Sequence, residues 1–400
     1  MTETKQPAYT LWQLVKYFLY LGYAGFGGPV ALVGYMHRDL VEKRKWISED
    51  DYKEGMALAQ LSPGPLAAQL GIYLGYVHYG VLGATLAGIA FVLPSFFMVL
   101  IIGIAYKIYG GLPWMQAIFY GVGACVIGII SLSAYKLTLK SIGKLNADAM
   151  KKNWLLWAFY FFAAVFTVIT RKEPVTLFVG AGLLYMFVKA PPKFLKRSAM
   201  SLILLGAPSV IWLDHGDRIT DIALFFTKAG AFVFGSGLAI VPFLHGGVVN
   251  QFHWLNEKEF LDAVAVAMIT PGPVVITVGF IGYLTAGVAG ASVAALATFL
   301  PCYLLTVIPA PYFKKIAKNV SIKAFVDGIT AAVIGALAGA VVVIAINTFT
   351  QNHSVIIDIP SLVIAAATVL SLLYVKKIPE PILILIAAVI GLTLKLTVLQ

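Results

Sequence analysis

The sequence predicts an all-α, polytopic membrane protein of about ten to thirteen membrane segments, built as two homologous halves of opposite orientation. Three observations predict it. Hydrophobic residues make up 60% of the chain and charged residues 12%, about half the charged share of a soluble domain. No Asp, Glu, Lys or Arg occurs from Gly55 to Tyr106 or from Ala263 to Phe313, and each run is long enough for two bilayer crossings. Finally, the chain repeats itself. Phe26-Gly27-Gly28-Pro29, Trp46-Ile47-Ser48-Glu49 and Ser62-Pro63-Gly64-Pro65 return as Phe234-Gly235-Ser236-Gly237, Trp254-Leu255-Asn256-Glu257 and Thr270-Pro271-Gly272-Pro273, always 208 positions later.

His37 and Glu54 match His245 and Asp262 at the same offset. After a one-residue slip the match continues through Gly75-Tyr76 with Gly282-Tyr283, Pro94 with Pro301, and Val126-Ile127-Gly128 with Val333-Ile334-Gly335. Lipid offers backbone groups no partner, so long apolar runs without alternation must be helices rather than open strands.

Taken in order, a first apolar segment runs from about Leu11 to Tyr35 and breaks near Gly25–Pro29. A polar stretch, His37 to Lys53, leads into 55–80, broken at Ser62–Pro65, and then 81–106 and 115–135. Apolar stretches at 154–170 and 174–190 and a short, interfacial one at 199–213 precede the second repeat at 220–244, 263–284, 286–310 and 324–348. Two closing helices are expected at 360–375 and 381–399. The repeats divide the chain at 1–200 and 201–400.

Charge sets the orientation. Stretch 38–53 holds Arg38, Lys43, Arg44, Lys45 and Lys53, whereas its counterpart 246–261 holds only Lys258. The later loops reverse this: 107–114 has only Lys107, and 311–323 has Lys314, Lys315, Lys318 and Lys323. By the positive-inside rule, equivalent loops then lie on opposite sides of the membrane. The clusters Lys136–Lys152, Lys193–Arg197 and Lys376-Lys377 are expected to be cytoplasmic. Segments 54–80 and 262–284 must then enter and leave on one side, as broken or re-entrant helix pairs.

The net charge of +11 reflects these loops and not nucleic-acid binding. Cys125 and Cys302 lie in apolar stretches and read as small core residues. The N-terminus lacks a clean signal-peptide core and is expected to be retained. The sequence has no Walker A motif, no metal-ligand spacing and no nucleophile–base constellation. The expectation is therefore a secondary transporter with no cofactor, no metal and no enzymatic activity.

Proline stops a helix and suits the first turn of the next. Each Gly/Pro break therefore exposes free N–H groups and a positive dipole end, a ready site for an anion. The candidate substrate-binding set is Phe26, Gly27, Gly28, Pro29, Ser62, Pro63, Gly64, Pro65, Gly235, Ser236, Gly237, Pro271, Gly272 and Pro273, flanked by Gln60, Gln69, Thr270 and Thr277. The flanking polar groups serve equally well as helix-to-helix hydrogen bonds. Lys228 is either a functional intramembrane charge or a snorkelling one. Arg38 suits a tetrahedral oxyanion but is also a topology charge. Glu54, Asp262, His37 and His245 are the proton-coupling candidates, the two acids also serving as helix N-terminal caps.

These motifs, from Phe26-Gly27-Gly28-Pro29 through Met36-His37-Arg38, Trp46-Ile47, Leu61 to Pro65, Gln69-Leu70 and Tyr73-Leu74-Gly75, with their C-terminal counterparts, resemble the chromate ion transporter family in its long-chain, two-domain form. The resemblance covers nearly the whole chain. It implies a multi-pass protein of the cytoplasmic (inner) membrane that exports chromate, driven by the proton motive force, and confers chromate resistance, with sulfate as competitor. Ser236 replaces a common third glycine. Leu66 and Ala68 stand where some members carry an acid and an extra amide, making the site less polar. A transporter of sulfate or another oxyanion, or an anion channel, is the alternative. The expected partners are chromate or a sulfate-like dianion, protons and the lipid bilayer, with a homodimer left open.

Overall fold

The computed structural model describes residues 8–144, 146–171, 175–191, 217–232, 237–313, 319–350, 358–375 and 378–397. Phe234, Gly235, Ser236, the 199–213 stretch, Lys193–Arg197, Lys314, Lys315, Lys318 and Lys376-Lys377 lie outside them. Among the described residues the regular structure is helical, as expected of an all-α membrane protein.

The first half runs α1 (Leu11–Ala24), α2 (Gly28–Met36), a π-helical turn His37–Lys43, α3 (Glu49–Leu61), α4 (Leu66–Tyr109), α5 (Pro113–Ser141), α6 (Ala147–Lys152), α7 (Trp154–Thr170) and α8 (Val175–Lys189). The second runs α9 (Arg218–Ala231), α10 (Ile240–Leu244), a π-helical turn His245–Gln251, α11 (Glu257–Ile269), a 3-10 turn Val274–Ile276, α12 (Thr277–Val307), α13 (Val320–Phe349), α14 (Ile359–Tyr374) and α15 (Glu380–Thr397). Among the described residues, four helical runs are long and apolar enough to cross a bilayer: Leu66–Tyr109, Pro113–Ser141, Val274–Tyr312 and Val320–Phe349.

Local signals account for the helix starts. Thr10 and Gln13 form a capping box at α1, and the Ser48 side chain caps α3 at Asp51, each satisfying an orphan N–H. The acids at the helix dipole are Glu49, Asp50 and Asp51 on α3 and Glu257 and Glu259 on α11. Glu54 and Asp262 therefore do not cap these helices, as their place before the breaks suggested. Both helices begin more than a turn earlier, where the Ser48 and Asn256 side chains accept backbone N–H groups.

Two of the long runs are hairpins. Residues eight apart in a straight helix stand about 12 Å apart, yet a Cβ on Gly75 would lie 2.4 Å from the Gly83 carbonyl oxygen. The chain turns at Gly80, with φ 56° and ψ −146°, a conformation closed to residues with a Cβ. α12 repeats the turn at Gly287, with φ 63° and ψ −153°, and brings Gly282 onto Gly290. The leg before each turn is thus a short half-helix that starts at a Pro-Gly-Pro break.

The described chain forms two compact units, and each draws on both halves. One comprises residues up to Ile108, Ile222–Gly237 and Val266–Ile316. The other comprises Tyr109–Asp221, Leu238–Ala265 and Ala317 onward. In the second unit α13 packs on α7 and α8, and α5 packs on α13, α14 and α15. Contact units therefore cut across the two sequence repeats.

Candidate functional site

The first unit holds both Pro-Gly-Pro breaks, and each is backed by a residue from the other half. The residues after Pro94 and Pro301, which are equivalent in the repeat, are Ser95 and Cys302. The Ser95 hydroxyl donates to the Pro271 carbonyl at 2.8 Å and lies 3.2 Å from the Gly22 carbonyl. The Cys302 thiol lies against Gly64, where an added Cβ would meet it at 3.0 Å. The Gly272 N–H donates to the Gly25 carbonyl at 2.9 Å, joining the C-terminal break to the break between α1 and α2. Ser62 reaches the Leu305 carbonyl at 3.2 Å.

The breaks require glycine. Gly64 has φ 142° and Gly272 has φ 95°, both in the region that L side chains avoid. Pro271 through Gly282 are all buried, as are Gly64 through Gly75. Gln69 is fully buried; its amide nitrogen donates to the Pro63 carbonyl at 2.7 Å, while its oxygen is a buried acceptor without a partner. Its repeat equivalent, Thr277, is equally buried and donates to Val274. Thr270 donates to Ala267. Gly27 and Gly28, with φ 106° and 72°, start α2 with Pro29 in its first turn and no side-chain cap, while Phe26 is exposed. Gly237 is buried against Val274 and Val275.

The other predicted residues have different neighbours or face solvent. Gln60 is exposed on α3. Arg38 is bound to Asp39 at 3.1 Å and lies over the Tyr35 ring. Lys228 is half-buried on α9, two residues before Gly230, which packs on the Thr298 backbone. Glu54 hydrogen-bonds Tyr73, and Asp262 is buried.

The two matched histidines occupy matched sites. Each opens a π-helical turn, a feature frequent at functional positions, and binds the first acid of the following helix. His37 Nε2 lies 2.9 Å from Glu49 Oε2, and His245 Nε2 lies 2.7 Å from Glu257 Oε2. The ring edges meet Tyr52 and Phe260 respectively, also equivalent positions. The pairs differ in surroundings. His37 is 30% exposed and has Glu42 at 3.1 Å as a second carboxylate. His245 is 2% exposed, and Glu257 accepts a further hydrogen bond from Asn347 at 2.7 Å. The His37 hydrogen bond holds the Glu49 carboxyl below its usual range. Burial raises the Glu257 carboxyl, but the hydrogen bonds from His245 and Asn347 and the Arg171 charge outweigh it, leaving the group lowered.

Sequence reasoning read Cys302 only as a small core residue and did not single out Ser95, Glu49, Glu257 or Asn347. The signal for the first four was present: Ser95 and Cys302 follow a matched proline, and Glu49 and Glu257 close a matched four-residue motif. Asn347 carried none.

An all-helical chain with buried, paired helix breaks and folded-back half-helices is a multi-pass membrane protein of transporter build. It belongs to the chromate transporter family, whose model matches residues 12–186 and 220–392. It is 61% identical to a chromate transport protein of Cupriavidus metallidurans, covering 96% of this chain and 94% of that one. It is 58% identical to a probable chromate transport protein of Synechococcus elongatus, covering 96% of each. An uncharacterized transporter of Methanocaldococcus jannaschii is 27% identical over 94% of this chain and 92% of its own. No solved structure matches the chain. Members of the family are transporters, not enzymes.

Proposed function

We propose that this protein exports chromate from the cytoplasm across the inner membrane, coupled to the proton motive force, and so confers chromate resistance. The observation that carries the reading is the pair of buried Pro-Gly-Pro breaks at the heads of half-helices, each supported by the opposite half. It is joined by the 61% identity to a protein named for chromate transport. Free N–H groups at a half-helix start can replace part of the hydration shell of a tetrahedral oxyanion. The binding set is the break residues, with Gln69, Thr270 and Thr277 beside them, and Lys228 and Arg38 as candidate charges on its approach.

A membrane potential that is negative inside favours exit of a dianion by about 2.3 kcal/mol per charge per 100 mV. Coupling protons are assigned to the histidine pairs, His37 with Glu49 and His245 with Glu257, with Glu54 and Asp262 as the other candidates. The halves, 1–200 and 201–400, are placed in opposite orientation, and assembly as a homodimer is compatible with this scheme.

The test is uptake of labelled chromate by inverted vesicles, with and without a proton gradient and with excess sulfate. Energised, saturable accumulation that Pro271→Ala with Gly272→Ala abolishes at normal expression is the expected result. Accumulation of sulfate but not chromate would make this a transporter of a different oxyanion. Non-saturable flux indifferent to the proton gradient would replace the transporter with a channel.

A further inference from the structure

A cavity with two cations in its lining lies beside α1 and includes none of the helix-break residues. Gln13, Lys16, Tyr17, Tyr20, Arg44 and Trp46 line an open cavity of about 200 Å³. Among the described residues its cations, like Lys45, have no carboxylate partner, unlike the other cations of the 38–53 stretch. Arg38, Lys43 and Lys53 each meet a carboxylate. Lys16 and Arg44 meet none within 4 Å among the described residues; their neighbours are aromatic faces. Arg44 lies over the Trp46 ring at 4.7 Å and the Tyr17 ring at 5.5 Å, and Lys16 lies over Trp12 at 5.6 Å. Trp46 is itself held by stacking on Tyr9 at 4.8 Å. Below them the Tyr17 hydroxyl is buried without a hydrogen-bond partner. The cavity thus offers two uncompensated cations, a side-chain amide and aromatic walls, which is the chemistry of a phosphate monoanion carried on an apolar body.

The exposed face of α1 says where that anion comes from. Trp12, Lys16, Tyr20 and Tyr23 follow one another at helical spacing, and all are exposed. An outward stripe of aromatic rings with one cation is the composition of a membrane–water interface. The neighbouring 38–53 stretch carries five basic residues, Arg38, Lys43, Arg44, Lys45 and Lys53, interspersed with five acids, and is expected on the cytoplasmic side. Basic pockets at that level hold lipid headgroups.

We propose that this cavity binds the phosphodiester of an anionic phospholipid, with Arg44 and Lys16 on the phosphate oxygens, Gln13 donating to the headgroup, and Tyr20 and Trp46 against the glycerol and upper acyl chain. Arg44 provides the planar fork, and Lys16 the point charge. The site fixes α1, and with it the α1–α2 break, relative to the cytoplasmic leaflet.

The full-length protein is reconstituted in phosphatidylcholine vesicles and titrated with brominated phosphatidylglycerol or brominated phosphatidylcholine while tryptophan fluorescence is read. The component lost in Trp46→Phe reports the cavity. Phosphatidylglycerol should quench it at a mole fraction about fivefold lower per cation engaged. Arg44→Gln with Lys16→Gln, both exposed and compatible with folding, should move phosphatidylglycerol to the phosphatidylcholine value. Tyr17→Phe should give a smaller shift in the same direction. Inorganic phosphate should not compete. Equal quenching by the two lipids, an unchanged titration in the double variant, or no Trp46-dependent component would overturn the proposal. Displacement of the lipid by inorganic phosphate would overturn it too, by making the cavity a site for a free oxyanion.

Discussion

The two Pro-Gly-Pro breaks face the same problem and solve it differently. A proline ends each helix and leaves a carbonyl in the interior that no helical N–H can reach. At the C-terminal break the Pro271 carbonyl is satisfied by Ser95, from the opposite half. At the N-terminal break the Pro63 carbonyl is satisfied by Gln69, from the same half, and the position equivalent to Ser95 is the Cys302 thiol, a weak donor. The repeat thus preserves the need, a donor on each broken carbonyl, and not the residue that meets it. It also makes the two halves unequal: the broken carbonyl is met from the opposite half at the C-terminal break and from the same half at the N-terminal one, whose hydrogen bond to the opposite half is the longer one from Ser62 to the Leu305 carbonyl, 3.2 Å.

The largest effect is expected where that tie is tightest. An alanine at 272 would hold φ 95° and press its Cβ to 2.0 Å from the Ser95 hydroxyl and 3.3 Å from the Gly22 carbonyl. An alanine at 64 would meet chiefly the end of the Gln69 side chain, at 2.7 Å. Backbone strain and overpacking each cost about 1–3 kcal/mol. Gly272→Ala should therefore lower thermal stability in detergent by about 3 kcal/mol or more, and Gly64→Ala by clearly less. Equal losses would show that positive φ alone, and not the crossing contact, sets the cost.

Removing the donors sharpens the comparison. Ser95→Ala leaves Pro271 unsatisfied and should cost about 1–3 kcal/mol. Gln69→Leu removes one donor but also the unpartnered amide oxygen, so its net cost should be near the low end of that range. Because Cys302 occupies the Ser95 position, Cys302→Ser in the Gln69→Leu background should restore most of the lost stability, by placing a hydroxyl on the N-terminal break. If the double variant melts no higher than Gln69→Leu, the pseudo-equivalence of the two sites is only topological.

The elements were legible because each announced itself locally. Gly25 to Pro29 and Ser62 to Pro65 marked breaks that the structure places between α1 and α2 and between α3 and α4, and the sequence boundary near residue 80 is the Gly80 turn. Most of the break residues found their place together in one unit. The partners of those breaks were hidden for a physical reason. Ser95 and Cys302 lie on the returning legs of hairpins, and which leg crosses to which break depends on how the two halves interlock. Periodicity does not encode that. Lys228, Arg38 and Gln60 were chosen by residue type; Arg38 and Gln60 are exposed and Lys228 is half-buried, and residue type alone does not encode that burial. The same holds for the histidines: their repeat spacing was visible, but the pairing to an acid twelve residues on depends on a π-helical turn that the sequence does not reveal.

The smallest expected effect separates the two histidine pairs. Glu257 is lowered despite burial, so the folded state binds its proton less readily than the unfolded chain does. Such a group contributes stability above its unfolded value and loses it as pH falls through the lower folded one. The acid limb of stability, from the ordinary carboxylate value downward, should therefore contain a Glu257 contribution. Glu257→Gln should flatten that limb, with the loss appearing at neutral pH, where the hydrogen bonds to His245 and Asn347 are both weakened. Glu49 is lowered as well, but it faces solvent and shares His37 with Glu42, so Glu49→Gln should change the limb little. Screening supports the same order: salt should weaken the His37 pair more than the His245 pair, of which only the histidine is buried. A pH-stability profile of both variants in low and high salt decides the matter. If Glu49→Gln flattened the acid limb as much as Glu257→Gln, burial would not be what distinguishes the two pairs, and the Asn347 contact would lose its role in holding the second carboxylate charged.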